Sequence, residues 1–184
     1  MLFSSFLAIA YATETSQTQE YTTHPPSNHV NFRMGASSAT SNGRPTLCLE
    51  GTIRQHFAVE SCGTGYGFLH QDPGIDFVHF RGKWDVITKE YSRTQIQGQV
   101  GAGFAEVQLA GDELGFQFTG AKNGIETAGP EVTTSVQVLR DLGLGSELIV
   151  DANIGAAFFR HGPELIVPQR QFFPFCEFSV GVGW

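Results

Sequence analysis

From Thr46 to Trp184 apolar residues recur at every second position, and that period dictates extended strands with one apolar face and one small or polar face. The final segment shows it most clearly. Cys176, Phe178, Val180, Val182 and Trp184 share one parity, and Glu177, Ser179, Gly181 and Gly183 share the other. Upstream, Leu148, Val150, Ala152, Ile154, Ala156 and Phe158 oppose Asp151, Asn153 and Gly155. Val132, Thr134, Val136 and Val138 oppose Thr133, Ser135 and Gln137; Leu114, Phe116 and Phe118 oppose Gly115, Gln117 and Thr119. Ile96, Val100, Ala102 and Phe104 oppose Gln95, Gln97, Gln99, Gly101 and Gly103. Val78, Phe80, Trp84 and Val86 oppose His79, Arg81, Lys83 and Asp85, and Leu47, Leu49, Ile53 and Phe57 oppose Glu50, Thr52, Arg54 and His56.

The spacing of these runs predicts about eight strands, near residues 46–57, 60–70, 75–87, 94–109, 113–121, 130–140, 146–159 and 169–184. A change of phase at Ala105 and Glu106 reads as a bulge or an early strand end. The connections alternate in length. Residues 71–74, 110–112 and 141–145 form tight turns, whereas 87–93, 121–129 and 160–169 are longer and more polar. Short turns at one end and longer loops at the other describe an antiparallel up-and-down barrel.

Composition bears on which way the faces point. The chain is 41% hydrophobic but 16% charged, with 22 glycines and 16 phenylalanines among 184 residues. No run reaches the roughly 18 continuous apolar residues of a membrane helix. A net charge of −7 with no Lys/Arg cluster excludes a nucleic-acid partner. Glycine weakens an exposed strand, but inside a narrow barrel it makes room for long neighbours. The apolar faces carry no charge in mid-strand; Arg140 and Glu106, the exceptions by parity, fall beside expected turns. Aromatics such as Phe57, Tyr66, Phe68, Trp84, Phe104, Phe158, Phe172 and Trp184 gather toward strand ends, as the two girdles of a membrane barrel do.

With apolar residues outward and small or polar ones inward, residues 46–184 resemble a small, roughly eight-stranded bacterial outer-membrane β-barrel. The carboxyl end carries the most specific likeness. Proteins of that class finish on an aromatic residue closing a strand with apolar residues at alternate positions, and Phe178, Val180, Val182 and Trp184 match it. The resemblance implies an all-β transmembrane barrel in the bacterial outer membrane, with the bilayer and the barrel assembly machinery as partners and no cofactor. Its implied role is structural, adhesive or surface-interacting, without a wide channel.

Residues 13–45 are mostly Ser, Thr, Gln, Asn, His, Pro and Gly, a composition expected of a disordered tail. Residues 1–12, apolar and ending Ala10-Tyr11-Ala12, have the form of an export signal, although no Lys or Arg precedes the apolar run.

Among candidate sites, the inward set Glu50, Arg54, His56, Arg81, Lys83, Asp85, Asp151, Asn153 and Glu177 mixes both signs of charge, and paired charges are the ordinary filling of a barrel this narrow. Cys48 and Cys62 share a face and can pair if the hairpin turns at Gln55, or else serve as small apolar fillers; Cys176 faces outward. No metal-binding or phosphate-cradling motif occurs, and Gly63-Thr64-Gly65-Tyr66-Gly67 has no helix after it. Two alternatives stay open. A lipid A-modifying acyl hydrolase or transferase needs a Ser beside a His, for which His56, His79, His161, Ser61, Ser92 and Ser135 are available. A secreted lipocalin-like barrel needs the opposite sorting of faces, with apolar residues inside.

Overall fold

The structure is a computed structural model that describes residues 30–41, 43–64, 74–109, 116–119, 124–143 and 145–184. Eight strands form it: β1 (Val30–Ser37), β2 (Pro45–Arg54), β3 (Phe57–Gly63), β4 (Asp76–Tyr91), β5 (Thr94–Gln108), β6 (Glu126–Asp141), β7 (Glu147–Phe158) and β8 (Phe172–Gly183). Each pairs antiparallel with the next, and β1 pairs with β8 to close the barrel. Closure leaves no sheet edge unpaired, which is how a strand-built wall satisfies its backbone without water.

The number of strands matches the periodicity, but their membership does not. Strand β1 falls inside the stretch expected to be a disordered tail. Its outward residues Val30, Phe32, Met34 and Ala36 alternate with inward Asn31, Arg33, Gly35 and Ser37. The pattern spans eight residues within a polar stretch, so composition masks it. Conversely, the strand expected over 113–121 is absent at Phe116–Thr119, which is coil and turn. Residues 1–29, with the expected export signal, and the expected turns at 71–73 and 110–112 lie outside the described residues.

These exchanges relocate the turns. At one end β2–β3, β4–β5 and β6–β7 are joined by residues 55–56, 92–93 and 142–146. The chain ends meet at the same rim, where Val30 and Trp184 exchange backbone hydrogen bonds of 3.2 and 3.1 Å. At the other end lie the longer connections 38–44, 64–75, 109–125 and 159–171. Of the expected tight turns, 141–145 sits at the short-turn end. The expected loop 87–93 is strand as far as Tyr91, followed by a turn in which Ser92 adopts a positive φ of 53°.

The outer wall is apolar, as the alternation predicts. Val136, Ile154 and Val180 are 51%, 61% and 40% exposed, so the faces point out of the barrel. Ridges of Phe80, Trp84, Phe104, Phe158, Phe172, Phe178 and Trp184 continue that wall. No bulge occurs at Ala105 and Glu106, where the register with β4 and β6 is unbroken. The alternation fails there because both faces are covered. Segment 116–119 lies against the outside, with the Gln117 N–H donating to Glu106 at 2.8 Å, the Ala128 N–H donating to Gln117 at 3.0 Å, and Phe118 edge-on to Phe104. Glu106 is thus on the outer face, as its parity predicts, but buried beneath segment 116–119 at the long-loop end and not exposed beside a short turn.

Inside, toward the long loops, Phe77, Val107, Phe159, Leu165 and Phe175 pack into an apolar plug. Leu165 reaches it from the 159–171 loop, which folds over the mouth and is pinned by Ile166 N–H donating to Gly124 at 2.7 Å. Two inward glycines are required by close approach. A Cβ on Gly181 would overlap the Phe32 carbonyl oxygen and fall 2.6 Å from Arg33 Cα; on Gly103 it would overlap the Phe80 carbonyl and fall 2.6 Å from Arg81 Cα.

Candidate functional site in the barrel lumen

Period two sends the polar parity of every strand inward, and the mid-lumen consequence is a layer of buried charge. Three cations stand in it. Arg33 of β1 donates to Glu50 at 2.9 Å, lies 3.0 Å from Asp151, and bonds Glu60. Arg81 of β4 donates through Nε to Glu60 at 2.6 Å and through Nη2 to Glu177 at 3.3 Å. Lys83 reaches Glu50, Glu60 and Asp151 at 2.8, 3.2 and 3.2 Å. Glu60, fully buried, is the hub that touches all three. Amides trim the layer: Asn31 donates to Glu50 at 3.0 Å, Asn153 to Glu177 at 3.2 Å, and Gln137 to Glu50 at 3.4 Å.

Beside the layer, toward the plug, the His79 ring lies 3.7–3.9 Å from carboxylate oxygens of Glu60, Glu131 and Glu177 and edge-on to Phe77. Next to it Cys48 and Cys62, directly paired across β2 and β3, form a disulfide. A His79 ring nitrogen lies within 4.8 Å of both sulfurs. Sulfurs bonded to each other are not thiolates, so this trio is no metal-ligand set.

Of the inward residues expected from sequence, Glu50, Arg81, Lys83, Asp151, Asn153 and Glu177 belong to this layer. Asp85 sits nearer the short-turn mouth and accepts from Gln99 at 2.8 Å. Arg54 and His56 lie outside this layer, exposed at the β2–β3 turn, where they border the short-turn mouth. The register shift between Thr52 and Arg54 ends the alternation before it reaches them. Sequence reasoning missed Asn31 and Arg33, hidden in the apparent tail, and Glu60, Glu131 and Gln137. Their signal was parity: Glu60 pairs with Glu50, and Glu131 lies two residues before inward Thr133.

The short-turn mouth opens on a cavity of about 500 Å³ whose walls include Gln95, Gln97, Gln99, Asp85, Glu90 and Phe57. Its amides form a one-way ladder. Gln99 donates to Gln97 at 3.4 Å, Gln97 to Gln95 at 3.3 Å, and Gln95 to Glu90 at 3.5 Å. The cavity floor is the charge layer, with Glu50 and Gln137. Above that layer the apolar plug blocks the lumen, so the described residues enclose a blind mouth and no wide channel.

The serines and histidines do not assemble. Ser61 is exposed on the outside, Ser92 is in a turn, and Ser135 donates to Gln99 in the lumen at 3.1 Å. His56 is at a turn, His79 is ringed by carboxylates, and His161 contacts Glu164 at 3.0 Å in the 159–171 loop. No hydrogen bond joins a Ser of this set to a His of it among the described residues.

Phe178, Val180 and Val182 face outward on β8, between β1 and β7, and Trp184 is exposed at the rim just beyond the strand. Cys176 is on the same outer face and is free.

No protein-family profile and no curated protein matches the chain by sequence. Among solved structures it is similar to neisserial surface protein A, at 12% identity and a TM-score of 0.47 over 83% of this chain and 92% of that one. It is also similar to Ail, the attachment invasion locus protein of Yersinia pestis, at 10% identity and a TM-score of 0.34 over 84% of this chain and 93% of that one. A second structure of Ail, bound to the heparin analogue sucrose octasulfate, aligns at 9% identity and a TM-score of 0.38 over 84% of this chain and 93% of that one. The assignment as a closed eight-stranded antiparallel barrel stands on the strand pairing itself.

Proposed function

We propose that the chain is a bacterial outer-membrane barrel whose role is structural, adhesive or surface-interacting, carried by its long loops and not by a channel. The observation that supports it most is the sorting of the wall. Aliphatic and aromatic residues cover the outside of the strands, while Arg33, Arg81 and Lys83 are buried in the lumen among Glu50, Glu60, Glu131, Asp151 and Glu177. In water this arrangement exposes what the hydrophobic effect would bury; in a bilayer it is the favoured one. A soluble lipocalin-like barrel requires the inverse, and nothing in the geometry favours acyl-transfer chemistry.

In this reading the short-turn end faces the periplasm and the long loops face outside. The β8 residues Phe178, Val180 and Val182, with Trp184, serve as the signal for barrel assembly. The outward contact surface includes the 159–171 loop, which presents Ile166 and Val167, 69% and 53% exposed, from a hydrogen-bonded scaffold. A single Cys at Ile166 should react with a membrane-impermeant maleimide in intact cells carrying Cys176→Ser, whereas one at Leu142 should react only after the outer membrane is opened. Equal labelling of both positions, or recovery of the protein in the soluble fraction, refutes the reading.

A further inference from the structure

We infer that the β2–β3 hairpin is the substrate of a thiol-oxidising protein before the barrel closes, so that the Cys48–Cys62 bond is made on an open chain and sealed in afterwards. Both cysteines face the lumen and are 6% and 3% exposed. Each is covered sideways by a neighbouring strand, Cys48 by Arg33 of β1 and Cys62 by His79 of β4. Toward the short-turn mouth the next inward pair on the same strands is Glu50 and Glu60, cross-linked by Arg33 and Lys83. Toward the long loops stand buried Thr46 and Thr64, then the Phe77 plug. A protein oxidant must bring its own sulfur into line with the attacked thiolate, and neither mouth admits one to this depth.

The open hairpin has no such obstacle. The two cysteines are 14 residues apart, directly opposite in register, and joined by a turn of residues 55–56. One hairpin thiolate attacks a sulfur of the oxidant's disulfide and expels the other oxidant sulfur as a thiolate. The second hairpin thiolate then attacks the mixed disulfide at the hairpin sulfur and releases the oxidant as a dithiol. Two electrons and two protons leave the hairpin, and the oxidant is the group reduced. The order of events follows from burial alone; only the compartment, an oxidising periplasm, rests on the outer-membrane reading.

An order-of-addition experiment tests it with the full chain carrying Cys176→Ser. Reduced chain is diluted from urea either into an oxidised disulfide oxidoreductase and then into detergent micelles, or into micelles first. Thiols are then alkylated and counted by mass, and folding is read from the heat-dependent gel shift. Oxidant-first chain should be bonded, whereas a barrel folded with reduced cysteines should oxidise about a hundredfold more slowly or not at all. Should the micelle-first chain fail to fold while the bonded chain folds, the bond is required before closure and the order stands. A folded, gel-shifting, reduced barrel oxidised within a few-fold of the rate of the open chain overturns it. Failure of the labelling experiment on Ile166 and Leu142 would overturn the membrane orientation and leave this order untouched.

Discussion

Glu60 is where the charge layer can be tested most sharply. It is fully buried and, among the described residues, is the one carboxylate that touches Arg33, Arg81 and Lys83 together. Glu60→Gln keeps the shape and one acceptor but removes the charge. Arg33 retains Glu50 and Asp151 at 2.9 and 3.0 Å, and Lys83 retains the same two carboxylates at 2.8 and 3.2 Å. Arg81 is left with Glu177 at 3.3 Å and Glu131 at 3.9 Å, so the loss concentrates there. Removing one partner of a buried ion pair costs about 3–5 kcal/mol, and the retained acceptor places Glu60→Gln near the lower figure. With a urea dependence of roughly 1–3 kcal/mol per molar, the unfolding midpoint should fall by about 1–3 M. The assay is urea unfolding in lipid vesicles, followed through the outward-facing Trp84 and Trp184. Glu177→Gln, whose Arg81 contact is longer, should lose about 1 kcal/mol. The double variant Glu60→Gln/Arg81→Gln should lose less than the sum of its single variants, because it also removes the stranded cation. A Glu60→Gln barrel as stable as the parent, or no weaker than Glu177→Gln, refutes the hub assignment.

Other consequences follow from the same geometry. Gly181→Ala should open the β1–β8 seam and destabilise by more than about 4 kcal/mol, because its Cβ meets Phe32 backbone; loss of the heat-dependent gel shift would report it. Removing the disulfide through Cys48→Ser/Cys62→Ser should cost about 3 kcal/mol from loop closure alone, measured by urea unfolding against the oxidised parent. Ser92→Gly should stabilise the barrel by up to about 1 kcal/mol in the same assay, since the residue holds a φ of 53° that glycine adopts freely. A null or opposite result at Ser92 would mean that the β4–β5 turn is not strained as drawn.

The parts of the barrel readable from sequence are those where one face is apolar and exposed and the other polar and buried. From Val132 to Val138 and from Phe178 to Trp184 the parity expected is the parity observed. Reading failed where that contrast collapses. Strand β1 carries Asn31, Arg33, Gly35 and Ser37 inward beside a Pro-rich polar stretch, so its four outward apolar residues were outvoted by composition. At residues 105–108 the contrast vanishes because segment 116–119 buries the outer face as well. Arg54 and His56 reach only the short-turn mouth and not the charge layer, because the register shift after Thr52 ends the regular alternation before them. The hub itself was beyond reach for another reason. Parity names which residues face the lumen, but only the register of eight strands brings Glu60 of β3 onto Arg33 of β1.

That register also explains why this chain combines scarce charge with abundant glycine. Each cation of the layer has a glycine directly beside it on one neighbouring strand: Arg33 beside Gly181, Arg81 beside Gly103, and Lys83 beside Gly101. On the other side they neighbour Cys48, Glu60 and Ala58. An eight-stranded barrel is only wide enough inside for side chains to fill, so a long guanidinium or ammonium can lie across the lumen only where an adjacent position is empty. At Gly181 and Gly103 the emptiness is stricter still, because the neighbouring strand's backbone occupies the space of the missing Cβ. Each of these three mid-lumen cations thus commits a glycine on the adjacent strand, and the number of charges the layer can hold is limited by the number of such pairs. Among the described residues a lumen packed by that rule leaves no wide channel, and that is the physical ground for looking to the loops in the function proposed above.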